Sequence, residues 1–249
     1  MELAAEYRRQ FDWRAWPEIF ATLPPLRDRT VLDLGCGPGD QAAELTARGA
    51  RVIGIDANAE FIAAAQARGL PNAEFQLGDL RALRPDLAAD GIWSSFAAAY
   101  FPDLPATLAR WGERLRPGGF VALTEIDDLF AHEPLSAGTR ELFAAYTSAA
   151  LAAGWYDFQM GRKLARHLTA SGFEVTKALV LGDQELAFDG PALPAVLDAW
   201  RRRFDRMAGL RQYCGPAFEG VRDEFLACLA LHTHRAHARV HCAVAVKPV

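Results

Sequence analysis

No stretch of the 249 residues stays apolar for the roughly 20 positions that a spanning helix needs, although 51% of the chain is hydrophobic. Insertion into a membrane is therefore not expected, and the apolar residues are free to build a core. Basic clusters are missing too. The longest run, Arg201 to Arg203, has three residues, and the formal net charge is −4. That balance predicts neither a nucleic-acid surface nor an anionic-lipid surface, and leaves a small molecule as the expected partner. The four cysteines, at 36, 214, 228 and 242, form no CxxC pair and no framework spacing, which predicts free thiols in a reducing compartment. The opening ELAAEYRRQ lacks the apolar core of a secretion signal, so a cytoplasmic location is expected. No repeat, low-complexity segment or long linker divides the chain, and one domain over 1–249 is expected, with a homodimer left open.

What is present is alternation. Short β-branched or apolar runs near 30–35, 51–55, 73–77, 90–95 and 119–126 are separated by helix-compatible stretches, DQAAELTARGA, NAEFIAAAQARGL and DLPATLARWGERL, two of which close on Gly49 and Gly69. This pattern predicts an α/β, Rossmann-like, doubly wound sheet. Beyond Asp128 the alternation weakens. Helices are expected over 137–153, 160–171, 191–212 and 217–231, with strands at 173–181 and at the C-terminal RVHCAVAVKPV. The expected architecture is a seven-stranded, mostly parallel sheet with an antiparallel edge strand. Its core is 25–128, 172–182 and 238–249, under a helical cap of 129–171 and 188–236.

The stretch VLDLGCGPGD, residues 31–40, ends a predicted buried strand in three glycines. In a doubly wound sheet the first strand-to-helix turn passes closest to the ligand, and Gly35, Gly37 and Gly39 suit it. A dinucleotide fold asks for Gly-x-Gly-x-x-Gly or Ala, and here the sixth residue is Asp40, whose charge disfavours phosphates. The P-loop Lys-Ser/Thr pair is absent. Two further carboxylates follow at equal spacing: Asp56 lies 23 residues after Asp33, and Asp79 another 23 on. Asp56 is placed to accept both hydroxyls of a ribose, Asp79 to accept from an exocyclic amine, and Asp33 to favour a nearby cation. Three carboxylates without a phosphate cradle describe a cationic adenosine, and S-adenosylmethionine fits.

With these motifs the chain resembles the class I S-adenosylmethionine-dependent methyltransferases, notably the small-molecule branch similar to the ubiquinone and menaquinone methyltransferases. The resemblance is strong over 28–127 and looser over 155–181. It rests on VLDLGCGPG, VIGIDA, LGDL, DGIWSSFAAAYFPD and LRPGGFVALTEID, in that order. It implies that Asp33, Gly35, Cys36, Gly37, Asp56, Ala57, Gly78, Asp79, Leu80, Ser95 and Phe96 surround the cofactor, and that S-adenosylhomocysteine is the product. One departure stands out. Relatives of this type often carry two histidines, or Glu-His, where this chain has Ala99-Tyr100.

A general base is needed only if the acceptor arrives protonated. The candidates are Glu125, Asp127 and Asp128 at the end of the fifth strand, and Tyr100; the plainer role of the acids is to cap the next element. Tyr7, Phe11 and Trp13 suit a lid, and equally a helix core. Trp155, Tyr156 and Phe158 suit an aromatic wall for a substrate, and equally ordinary packing. Arg201, in WRRRFDRMAGLRQYC, is the candidate for an anionic substrate. His234, His237 and His241 have helical spacing, but the expected break into a strand near Arg239, and the fact that no cysteine pairs with this run, argue against a metal. Two rivals are a nucleotide-dependent oxidoreductase, against which the Gly-Cys-Gly-Pro-Gly-Asp frame argues, and a non-catalytic sensor or scaffold that binds the same cofactor.

Overall fold

Val31, Leu32, Asp33 and Leu34 are all buried in β1 (Thr30–Leu34), as an interior strand of a sheet covered on both faces requires. The computed structural model describes residues 2–249. The strands continue as β2 (Arg51–Asp56), β3 (Ala73–Leu77), β4 (Ala89–Ser95), β5 (Leu115–Asp127), the two-residue β6 (His132–Glu133), β7 (Glu174–Leu181), the two-residue β8 (Arg235–Ala236) and β9 (Arg239–Val246). The helices are α1 (Glu2–Phe11), α2 (Trp16–Phe20), α3 (Asp40–Ala47), α4 (Ala59–Gln66), α5 (Leu104–Gly112), α6 (Ala137–Ala152), α7 (Leu164–Ala170), α8 (Pro194–Arg206), α9 (Ala208–Cys214) and α10 (Phe218–Leu229).

The main sheet has the order β3-β2-β1-β4-β5-β9-β7, and β6 pairs with β8 in a separate ribbon. Because β2 and β3 lie on one side of β1 and β4 and β5 on the other, the winding reverses between β1 and β4. Their carboxyl ends therefore splay open into a cleft. β9 is antiparallel to both β5 and β7. It lies one place in from the edge, with β7 outside it. Its run Val240–Ala245 is mostly buried and suits an interior position, whereas β7 is largely exposed and suits the rim.

Three apolar clusters hold the layers. Trp16, Phe20, Leu45, Ala65, Trp93 and Phe120 pack α2, α3 and α4 on one face of the sheet. Leu104, Leu108, Trp111, Leu164, Leu168 and Phe173 pack α5 and α7 on the other, so α7 sits in a sheet layer. Phe130, Phe143, Trp200, Phe204, Phe218 and Phe225 fill the cap. The predicted helix 191–212 is two helices, since Met207 leaves helical dihedrals (φ −78°, ψ 66°) and lets Phe204 and Leu210 both bury. Residues Arg116–Gly119 belong to β5, whose pairing with β4 shifts register between Ala89 and Gly91. No described helix is long and apolar enough to cross a membrane.

Candidate active site

The chain leaves β1 through Gly35 (φ 81°) and Gly37 (φ 52°), both in the left-handed region that side-chain-bearing residues avoid. A Cβ on Gly35 would stand 2.9 Å from the Ala97 Cβ, whereas one on Gly37 would meet nothing within 4 Å. Gly37 thus presents bare backbone to open space. Its amide donates to Asp56 Oδ2 at 2.9 Å, and Asp56 Oδ1 accepts from the Asn58 amide at 2.8 Å. Asn58 in turn caps α4 by accepting from the Glu60 and Phe61 amides. One carboxylate at the end of β2 therefore ties the glycine turn to the next helix, and each of its oxygens retains a lone pair.

Asp33 is buried, and its Oδ2 has no hydrogen-bond partner. Burial, with the Asp56 charge adding to it, pushes the Asp33 carboxyl up to about 8. Asp79, after β3, is exposed and accepts the Arg81 amide at 2.9 Å.

A cavity of about 840 Å³ opens over these turns, toward the upper end of the roughly 300–1,000 Å³ common for ligand sites. Of the sequence-predicted cofactor residues, Gly35, Cys36, Gly37, Asp56, Ala57, Asp79, Leu80, Ser95 and Phe96 line it together. Asp33 and Gly78 do not line it. Tyr7, Phe11, Tyr100 and Tyr156 close the other side, Tyr7 edge-on to Phe61 and Tyr100 edge-on to Tyr156 at 4.8 Å between centroids.

Other candidates are elsewhere. Trp13 is half-buried against the cap cluster, with its carbonyl accepting the Gln184 amide. Trp155 is 63% exposed, because the turn after α6 points it to solvent, and Phe158 packs on Phe130. Arg201 is exposed on the outer face of α8, near Asp198 at 3.8 Å. The histidine run is also divided. His234 stacks on His132, His237 contacts Glu133 at 3.1 Å, and His241 sits in β9 opposite Glu125.

The base candidates at the end of β5 are committed to structure. Glu125 is wholly buried, and its Oε2 and Oε1 accept the Ala99 and Ile126 amides at 3.1 and 3.0 Å. Burial outweighs those amides and pushes Glu125 up to about 8. Asp127 takes the Arg162 guanidinium at 2.7 and 2.9 Å, and Asp128 lies 3.5 Å from the same group. None of the three lines the cavity. Tyr100 does; it is 55% exposed, and partial desolvation, then the Tyr7 and Glu125 charges, raise its phenol above its ordinary value. Burial likewise keeps the Cys36 thiol protonated.

Sequence reasoning missed Arg14 and Arg203, both in the cavity wall. Arg203 was legible in principle. Val196, Ala199, Trp200 and Phe204 are the buried face of α8, and position 203, four on from 199 and three from 200, shares it while 201 does not. No local signal marks Arg14, whose partners Asp183 and Glu185 follow β7.

Residues 31–119 match the family described as Methyltransferase domain. The match begins in β1 and takes in the glycine turn, Asp56, Asp79, Ser95 and Phe96. This segment is a methyltransferase domain. A trans-aconitate 2-methyltransferase from Deinococcus radiodurans is 39% identical over 122 residues, 47% of this chain and 46% of that protein. The chain thus spans about half the length of the curated relatives it matches. Among solved structures, an S-adenosylmethionine dependent methyltransferase from Mesorhizobium loti has a TM-score of 0.54 at 20% identity, over 92% of this chain and 96% of that one. Haemonchus contortus phosphoethanolamine N-methyltransferase 2, solved with S-adenosyl-L-methionine, has a TM-score of 0.57 at 21% identity, over 94% and 53%. At these identities the structures share the methyltransferase domain's fold. The curated relative carries the trans-aconitate name, not that of the quinone branch.

Proposed function

We propose that the protein transfers a methyl group from S-adenosylmethionine to a small-molecule acceptor. The observation that carries this reading is Asp56, which braces the Gly37 turn and keeps an acceptor lone pair on each oxygen beside the cavity. The residues fit the cofactor: Asp56 would hold the ribose hydroxyls, Asp79 and Leu80 the adenine, and the Gly35–Gly37 backbone the amino-acid portion. The orphaned Asp33 oxygen supports a cation nearby, whose charge would draw its carboxyl back toward ionisation.

S-adenosylmethionine supplies a methyl on a sulfonium, which a lone pair of the acceptor takes as the S–CH3 electron pair stays on sulfur and S-adenosylhomocysteine leaves. The protein's own part is alignment in a pocket shielded by Phe96, Tyr100 and Tyr156. Among the described residues no histidine or lysine lines that pocket, and its Cys36 thiol and its Tyr100 and Tyr156 phenols are held protonated. Such a wall favours an acceptor that arrives already deprotonated, and a carboxylate does so at neutral pH. The relative named for trans-aconitate makes that acid the first acceptor to try.

The test is mass spectrometry of the purified protein's bound small molecules, followed by incubation with S-adenosylmethionine and trans-aconitate. Bound donor or product, and S-adenosylhomocysteine release with acceptor, are expected. Bound nicotinamide or flavin would overturn the reading, and donor binding without turnover on any acceptor would favour a sensor. The reading also takes the protein as cytoplasmic, on its four free buried cysteines, and as independent of nucleic acid. A homodimer is part of it, and light scattering checks that point.

A further inference from the structure

Two arginines from distant parts of the chain meet on the cap side of the cavity. Arg14 donates from Nη1 to both oxygens of Asp183 at 2.9 and 3.2 Å, and from Nη2 to Glu185 Oε2 at 2.6 Å. Arg203 donates from Nη2 to Glu185 Oε1 at 2.6 Å. The charges form an alternating row, Asp183, Arg14, Glu185, Arg203, and the row stops on a cation. Both Glu185 oxygens already carry an arginine, and Asp183 Oδ1 also accepts the Glu185 and Leu186 amides.

Arg203 is incompletely satisfied. Its Nε is buried without a hydrogen-bond partner, and among the described residues its Nη1 makes no hydrogen bond. The guanidinium stands over the Trp200 ring, 5.2 Å from its centroid, and the residue lines the cavity. Trp200 is itself anchored by donating to the Glu185 carbonyl at 2.9 Å. A guanidinium held in place, with donors to spare beside a cavity, matches a planar carboxylate. The wall of the same cavity also holds Asp56 and Asp79.

We propose that Arg203 binds a carboxylate of the acceptor other than the one methylated, so that the acceptor is a dicarboxylate or larger. This deepens, and rests on, the methyl-transfer reading. A guanidinium paired to the reacting oxygen would withdraw the lone pair that attacks, whereas one paired to a second carboxylate orients the molecule without that cost. Arg201, which the sequence favours for this role, faces solvent.

Titration calorimetry on the full chain saturated with S-adenosylhomocysteine tests this, with trans-aconitate and the monocarboxylate crotonate as probes. Wild type should prefer trans-aconitate, and Arg203→Gln should weaken its binding roughly 10- to 100-fold, the range of a lost charge-assisted hydrogen bond. Arg203→Lys, which can still pair with Glu185, should lie between and serves if the glutamine variant does not fold. Equal affinity of wild type for the two acids, or unchanged trans-aconitate binding in a folded variant, would overturn the proposal while leaving the donor reading intact. Failure of wild type to bind S-adenosylhomocysteine at all would overturn both.

Discussion

The Gly37 amide and the Asp56 carboxylate meet at 2.9 Å, joining the turn after β1 to the end of β2. The same carboxylate is the proposed ribose acceptor, so Asp56→Ala should remove two charge-assisted hydrogen bonds to ligand. At ~1.5–3 kcal/mol each, S-adenosylhomocysteine binding should weaken about 100-fold or more. Calorimetry gives the affinity directly, and wild-type affinity in the variant would remove Asp56 from the site.

The two turn glycines should not be equivalent. Alanine at either accepts a left-handed backbone at ~1–2 kcal/mol, but at Gly35 its methyl also collides with Ala97, 2.9 Å away. Urea unfolding should therefore rank Gly35→Ala below Gly37→Ala, and adding Ala97→Gly should restore part of the loss only in the former. Equal losses, or no rescue, would mean the collision does not govern the turn.

Glu125 separates structure from catalysis. Glu125→Gln places an amide nitrogen against a backbone N–H of Ala99 or Ile126, leaving a buried donor unmet at ~1–3 kcal/mol. Stability should fall by that order while the pH profile of methyl transfer keeps its shape. A shifted profile would restore Glu125 as a base.

The buried pair His132 and His234 predicts an acid-labile cap. His234 Nδ1 meets the Gly190 carbonyl at 2.8 Å and must carry the proton, so its Nε2 accepts from His132 Nδ1 at 2.9 Å. Both rings are neutral, and His132 Nε2 is buried without a partner. Burial, then the neighbouring His234, lowers His132 to about 3. Its folded value lies below its unfolded one, so the unfolded chain takes up the proton first, and stability drains as pH falls from about 6.5 toward 3. Asp33 and Glu125, raised to about 8, act oppositely and lose stabilising effect as pH rises from about 4 to 8. Melting temperatures at pH 7 and 4.5 should therefore fall less for His132→Phe than for wild type. Parallel losses would contradict the neutral pair.

Much of the proposed cofactor end was legible because its residues are local. Gly35, Gly37, Asp56, Asp79 and Ser95 each follow a strand at or near its carboxyl end, and a parallel sheet brings successive strand ends to one edge. The acceptor end was not. Whether Arg201 or Arg203 faces the cavity depends on the phase of α8 against the cap. Whether Glu125 is free depends on the Ala98–Tyr100 turn that folds onto it.

The sequence by itself determined the winding of the sheet and the turns that bear the proposed donor site, since hydrophobic period, glycines and carboxylates are set within a few residues of each other. Only the tertiary structure decided that β9 enters between β5 and β7, and that Arg14, Asp183, Glu185 and Arg203 form one row. The partners in that row are up to 171 residues apart, and no local preference encodes a contact that exists only once the cap, the N-terminal segment and the end of β7 have packed together.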